Sequence, residues 1–262
     1  MAYEVLYTLP SWLLFIIIIG SSVALAWVGT LLMRRWMKAL VGGKQNEVAG
    51  FIFATVSVVY AALLAFLIVS VWEQFNAADL AVSEEAASLV TVDRYSATFP
   101  EPERREVHDW LRQYTELVIN KEWDAMRLNH GEDAHTMASL TDLNKIWTTY
   151  RQLSPNVVDS EAMRNLNELS RRRILRIESS TGGLPDIFWP VLVLGAVIVV
   201  NFGTLFYLEN ANLHIFMVLL MAFLNAMCLW IIVALNNPFA GDLQVSSAAF
   251  KYALQVLDSL PR

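Results

Sequence analysis

The chain has 262 residues, 56% of them hydrophobic and only 17% charged, with a mean hydropathy of +0.43. Soluble domains carry about 25% charged residues, so an ordinary water-soluble enzyme is excluded at the outset. The charge is also confined: residues 73–186 hold 13 of the 19 basic and 20 of the 25 acidic side chains, a net of −7, which marks one polar segment interrupting a membrane protein.

A bilayer core about 30 Å thick needs roughly 20 apolar residues in helical form. The first window that qualifies is Trp12–Met33, uncharged and closed by Arg34-Arg35. Ala24-Leu25-Ala26 imitates a signal-peptide cleavage site. No Lys or Arg precedes the run, however, and it continues past that point, so an uncleaved span is expected. The second window is Val48–Trp72, also uncharged, ending at Glu73. Val58, Ala62 and Phe66 recur every four residues along it, with Ser70 and Glu73 beyond. Such a face suits an apolar pore constriction, although ordinary helix packing explains the same periodicity.

The second span is expected to run on as one long helix to about Ala97, with Leu80, Ala87, Val90 and Arg94 near helical spacing. Pro100-Glu101-Pro102 ends it, because proline lacks an amide donor and restricts the residue before it. A new helix follows, acidic at its start, with Val107, Trp110, Leu111, Tyr114, Leu117 and Val118 as its apolar stripe. Asn129-His130-Gly131 reads as a turn. Ala138–Leu153 and Ser160–Ile177 read as two further helices, separated at Ser154-Pro155-Asn156.

The third window is Ile187–Leu208 and the fourth Ala211–Leu235. Trp12, Trp36, Trp72 and Trp189 sit near window ends, where amphipathic rings prefer the headgroup layer. The expected fold is therefore an all-α membrane protein with four transmembrane helices and a helical water-facing domain inserted between the second and third. By residue number, 1–72 hold the first two spans, 73–186 the water-facing domain, 187–235 the last two spans and 236–262 a C-terminal segment. Both termini then share a side with residues 73–186. Charge leaves that side open, with Arg34, Arg35, Lys38 and Lys44 against Arg171, Arg172, Arg173, Arg176 and Lys251.

Candidate chemistry is sparse. His130, Glu132, Asp133 and His135 form a polar cluster without a recognised metal spacing, so no metal and no cofactor is assigned. The single cysteine, Cys228, falls in the fourth window, where a thiol stays protonated and inert. No acid–base pair or nucleophile constellation marks an enzyme. Arg171, Arg172, Arg173 and Arg176 read as an interface-anchoring or salt-bridging stretch, with binding of anionic lipid headgroups as the alternative. The acidic domain would repel phosphates, so no nucleic-acid partner is expected. No Asp, Glu, Lys or Arg lies inside a span, which argues against a proton-coupled carrier. Asn201 and Asn225 read as interhelical hydrogen-bonding residues.

Leu235-Asn236-Asn237-Pro238-Phe239-Ala240-Gly241-Asp242 resembles the Asn-Pro-Phe-Gly-acidic segment that follows the last span of bestrophins. Leu63-Leu64-Ala65-Phe66, followed by Trp72-Glu73-Gln74-Phe75, is similar to the bestrophin pore helix. Glu122-Trp123, Leu184-Pro185 and Trp189-Pro190 extend the resemblance to the bestrophin-like group of bacterial membrane proteins. It implies an oligomeric ion channel, a pentamer in the bacterial inner membrane, surrounded by lipid and passing inorganic ions. Five copies of the second span would line the pore through Val58, Ala62, Phe66, Ser70 and Glu73, with Phe66 in the hydrophobic neck. Asn236, Asn237, Pro238, Phe239, Gly241 and Asp242 would join span to domain, and the domain would be cytoplasmic. Two features depart from the pattern. Only Asp242 follows the Pro-Phe-Gly segment where animal bestrophins have an acidic run that clasps calcium, and the net −7 domain would oppose anions. The alternative function is a non-conducting membrane scaffold or envelope sensor whose helical domain binds a partner.

Overall fold

A computed structural model describes residues 10–37, 43–127, 134–153, 160–206 and 208–259, and among them every regular element is helical. In chain order these are α1 (Ser11–Met37), α2 (Gly43–Ser96), α3 (Glu103–Leu117), a π turn (Val118–Glu122), α4 (Trp123–Arg127), α5 (Ala134–Gln152), α6 (Ser160–Thr181), α7 (Phe188–Thr204), α8 (Ala211–Leu235) and α9 (Ala248–Ser259). They fall into two compact units, residues 1–73 with 183–236, and residues 74–182 with 237–262.

The first unit contains α1, the first part of α2, α7 and α8. Uncharged apolar runs must satisfy every backbone amide internally in lipid, and helices do so. Ser11–Trp36, Val48–Ser96 and Ala211–Leu235 are long and apolar enough to cross a membrane. The third window is shorter than expected: α7 spans 17 residues, about 25 Å of rise. It ends at Thr204, and a turn through Asn210 separates it from α8. Asn210 caps α8 by accepting from the amides of Asn212 at 3.1 Å and Leu213 at 3.2 Å.

Helix α1 packs on α7 and α8 through small residues, with Ala26, Val200, Val218 and Ala222 buried together. Tyr60, Leu64, Leu67 and Val71 of α2 are buried with Leu192, Val199 and Ile232. Asn201 and Asn225 donate to carbonyls of their own helices, Val197 at 2.8 Å and Met221 at 3.1 Å, rather than across a helix pair. An amide side chain four residues from a carbonyl on the same helix reaches it without help from a neighbour.

The second unit contains the remainder of α2 with α3 to α6, the π turn and α9. Its core gathers Val82, Leu89 and Val92 of α2, Leu111 and Tyr114 of α3, Ile146 of α5, Leu166 and Leu169 of α6 and Phe250 of α9. The α3 stripe holds at Val107, Leu111, Tyr114 and Val118, while Trp110 and Leu117 are half-buried at its margin. The stripe expected on α2 is displaced. Leu80, Ala87 and Arg94 are exposed, and the buried face runs through Ala78, Val82, Glu85, Leu89 and Val92. Alanines on both faces blur the apolar pattern, and the inward glutamate masks the true one.

Candidate functional site

Helix α2 presents two different faces within the first unit. The inward face is fixed by Tyr60, whose hydroxyl donates to the Leu192 carbonyl of α7 at 2.7 Å. Its ring lies against Gly195, where a Cβ would sit 2.2 Å from Cε2. The outward face carries Val58 and Phe66, each 67% exposed, with Ala62 and Glu73 also exposed. Ser70 is half-buried. Steps of four residues overshoot the helical period by about 40° each. Ser70 has therefore turned off the exposed face, and the three-residue step to Glu73 returns to it. Val69, 53% exposed, occupies the exposed line at that level.

The segment after α8 splits into two local structures. Asn236 is the C-cap of α8, and its Oδ1 accepts the Leu184 amide at 2.7 Å. Gly183 leads into that contact at φ +152°, where an added Cβ would lie 3.2–3.4 Å from Asn236 atoms. In the second unit, Asn237 Oδ1 accepts the Phe239 amide at 3.2 Å, and the Pro238 carbonyl accepts the Val245 amide at 2.7 Å. Gly241 turns the chain at φ +80°, a conformation that glycine adopts without strain. Phe239 is fully buried, edge-on to Trp123 with ring centroids 5.7 Å apart. Trp123 also meets Phe250 edge-on at 5.8 Å. Two short motifs more than a hundred residues apart thus share one aromatic cluster.

Asp242 stands exposed in a turn followed by Leu243-Gln244-Val245. Among the described residues no group of three His, Cys, Asp or Glu side chains could hold a metal ion. His130, Glu132, Asp133 and the His135 side chain lie outside the described residues. Cys228 is a half-buried free cysteine in α8.

The arginine stretch is the salt-bridging one of its two readings, and part of it is buried. Arg171 and Arg172 are tied to Glu168, and Arg172 also pairs with Glu84. Arg173 and Arg176 are not at an interface at all: they are buried in the second unit. Arg176 donates through Nε to Glu85 Oε2 at 2.7 Å and through Nη2 to Glu122 Oε2 at 2.6 Å. Glu85 also accepts from the Tyr114 hydroxyl, and Glu122 accepts from the Ser139 hydroxyl. Arg173 Nη2 lies 3.5 Å from Glu122 Oε1. The two arginines and two glutamates balance, which buried charges require. Burial alone would lower the Arg176 guanidinium, yet Glu85 and Glu122 hold it well above its ordinary value. Burial first and the Glu85 carboxylate second raise the Tyr114 phenol well above its usual range. The π turn brings Glu122 into this cluster, and such turns have no signature that a helical pattern reveals.

A family model of the Bestrophin-like domain matches residues 20–250. Among solved structures, a variant of a bacterial bestrophin homologue from Klebsiella pneumoniae superposes with a TM-score of 0.71 at 12% identity, covering 94% of this chain and 99% of that chain. Another structure of a bestrophin homologue from that organism gives 0.70 at 14% identity, covering 91% of this chain and 97% of the other. A structure described as a membrane protein variant gives 0.68 at 12% identity over the same shares. No curated protein matches. At such identities the superpositions establish the fold, and the domain match establishes the lineage: this chain belongs to the bestrophin-like family of multi-pass membrane proteins.

Proposed function

We propose that this protein is an oligomeric ion channel of the bacterial inner membrane, conducting passively through a central pore lined by α2. The observation that carries the reading is the outward face of α2. In a bestrophin-like chain, the uncharged span leaves Val58, Ala62 and Phe66 uncovered by its own fold, with Glu73 at its far end. Copies of the chain arranged about an axis, five by family resemblance, would bring these residues together as an apolar constriction that gates by dewetting. Ser70 would lie at the margin of that face. The water-facing residues 73–186 would sit on the cytoplasmic side with both termini. The reaction is transfer of inorganic ions down their gradient, with no bond made or broken and no cofactor.

Currents recorded from the purified protein in planar bilayers test this. Discrete conductance is expected, with an amplitude altered by Phe66→Ala. Silence of the wild-type protein across pH and calcium, or currents indifferent to Phe66→Ala, overturns the pore assignment. A reporter fused to the C-terminus reads the side of the membrane, and a periplasmic result would favour the sensor alternative.

A further inference from the structure

His214, in the first turn of α8, is buried, yet both its ring nitrogens reach partners on other elements. Nδ1 lies 3.2 Å from Nη1 of Arg34, in the last turn of α1. Nε2 lies 3.2 Å from the Gly203 carbonyl, near the end of α7. A guanidinium only donates and a carbonyl only accepts. Nδ1 must therefore carry the lone pair and Nε2 the hydrogen, which makes the ring neutral. The same Arg34 nitrogen also donates to the Leu208 carbonyl at 3.2 Å, using its second hydrogen. The Gly203 carbonyl is one of the four that a helix C-terminus leaves without an internal partner. Gly203 admits the close approach, since a Cβ there would sit 2.5 Å from the Met221 methyl of α8.

We infer that His214 is a proton-operated clamp, which in its neutral form ties the end of α1 to the α7–α8 turn and on protonation releases it. A proton added at Nδ1 would point an N–H at the guanidinium. That contact is lost as a hydrogen bond and becomes a meeting of two cations. Among the described residues, Arg34 of α1 is the charged group facing the ring. The contacts from α7 and the turn are backbone carbonyls, Glu209 of the turn is exposed, and α8 contains no Asp, Glu, Lys or Arg. Arg34 is only half-buried, which gives protons access to the pair. Acid at the membrane face where α1 ends and α8 begins would then loosen these helix ends. The clamp is independent of whether the chain conducts.

The test uses the full-length protein in lipid nanodiscs with nitrogen-15-labelled histidine. At neutral pH one of the four histidines is expected to show an unprotonated Nδ1 and a protonated Nε2, and His214→Gln is expected to remove that signal. Removal of an imidazolium or of the opposite tautomer overturns the assignment. Stepping to acid at about pH 5 should raise amide exchange across residues 203–206 and 208–214 several-fold after correction for intrinsic rates. His214→Gln should suppress that rise, because its oxygen can accept from Arg34 while its amide donates to Gly203. Arg34→Gln, which removes the opposing cation, provides a second variant with the same expectation. An equal rise in all three proteins, or none in the wild type, overturns the clamp.

Discussion

The Tyr60 ring occupies the space that a side chain at Gly195 would need, with a Cβ there falling 2.2 Å from Cε2. Gly195→Ala must push α7 off α2 or force the ring from its rotamer, a cost of about 1–3 kcal/mol for overpacking. Thermal unfolding in detergent should show the loss, and a Tyr60→Ala background should relieve most of it. Additive effects in that double-mutant cycle would mean that the two residues do not meet.

Arg176 bridges Glu85 and Glu122, whose two charges it balances together with Arg173. Arg176→Met alone strands buried carboxylates and should destabilise the protein by about 3–5 kcal/mol. Adding Glu85→Gln keeps an acceptor for Tyr114 and leaves Arg173 to balance Glu122, so the double variant should be the more stable of the two. Denaturant unfolding followed by helical signal reads the order, and a double variant weaker than the single would refute the charge-balance account.

Raised phenols make stability fall in alkali. Burial, and then Glu85 for Tyr114 and Asp93 for Tyr150, raise both phenols above their ordinary value. Unfolded tyrosines ionise near pH 10. Above that pH the unfolded chain holds fewer protons than the folded one, and stability drops as pH rises. Tyr114→Phe should flatten this alkaline limb. Phenolate absorbance of Tyr114 and Tyr150 should appear with unfolding rather than before it.

Phe239 and Phe66 separate packing from function. Phe239 is buried against Trp123, so Phe239→Ala should cost about 3–5 kcal/mol through the cavity it leaves. Phe66 is 67% exposed in the single chain. Phe66→Ala should leave the unfolding of a protomer nearly unchanged while altering conductance. A comparable loss of protomer stability for Phe66→Ala would show that its face is packed and not open.

Helical class and the proline-marked break after α2 were legible because each rests on local chemistry: uncharged apolar length, or a missing amide donor. Glu122-Trp123 and Pro238-Phe239 were visible as short motifs, but their meeting was not, since nothing local in Trp123 specifies a partner at Phe239. Burial of Arg173 and Arg176 was hidden for a similar reason. Four arginines near a span read equally as an interface anchor or as salt-bridging residues, and the carboxylates that draw Arg176 inward lie 91 and 54 residues away. The small size of Gly195 had no local meaning either, because its reason is a ring on another helix. Spacing every four residues keeps Val58, Ala62 and Phe66 on one exposed face and carries Ser70 off it.

The π turn at Val118–Glu122 has a consequence for comparing this chain with its relatives. A π turn takes up an extra residue without breaking the helix. A relative that has straightened this turn would lack that residue, yet both sequences would still read as one uninterrupted helix. Paired without a gap, every position after the turn would be matched to its neighbour, and Glu122 would be set against a residue pointing elsewhere. Kinship at low identity is best judged here by which side chain faces Arg176, because column order fails where the helix widens.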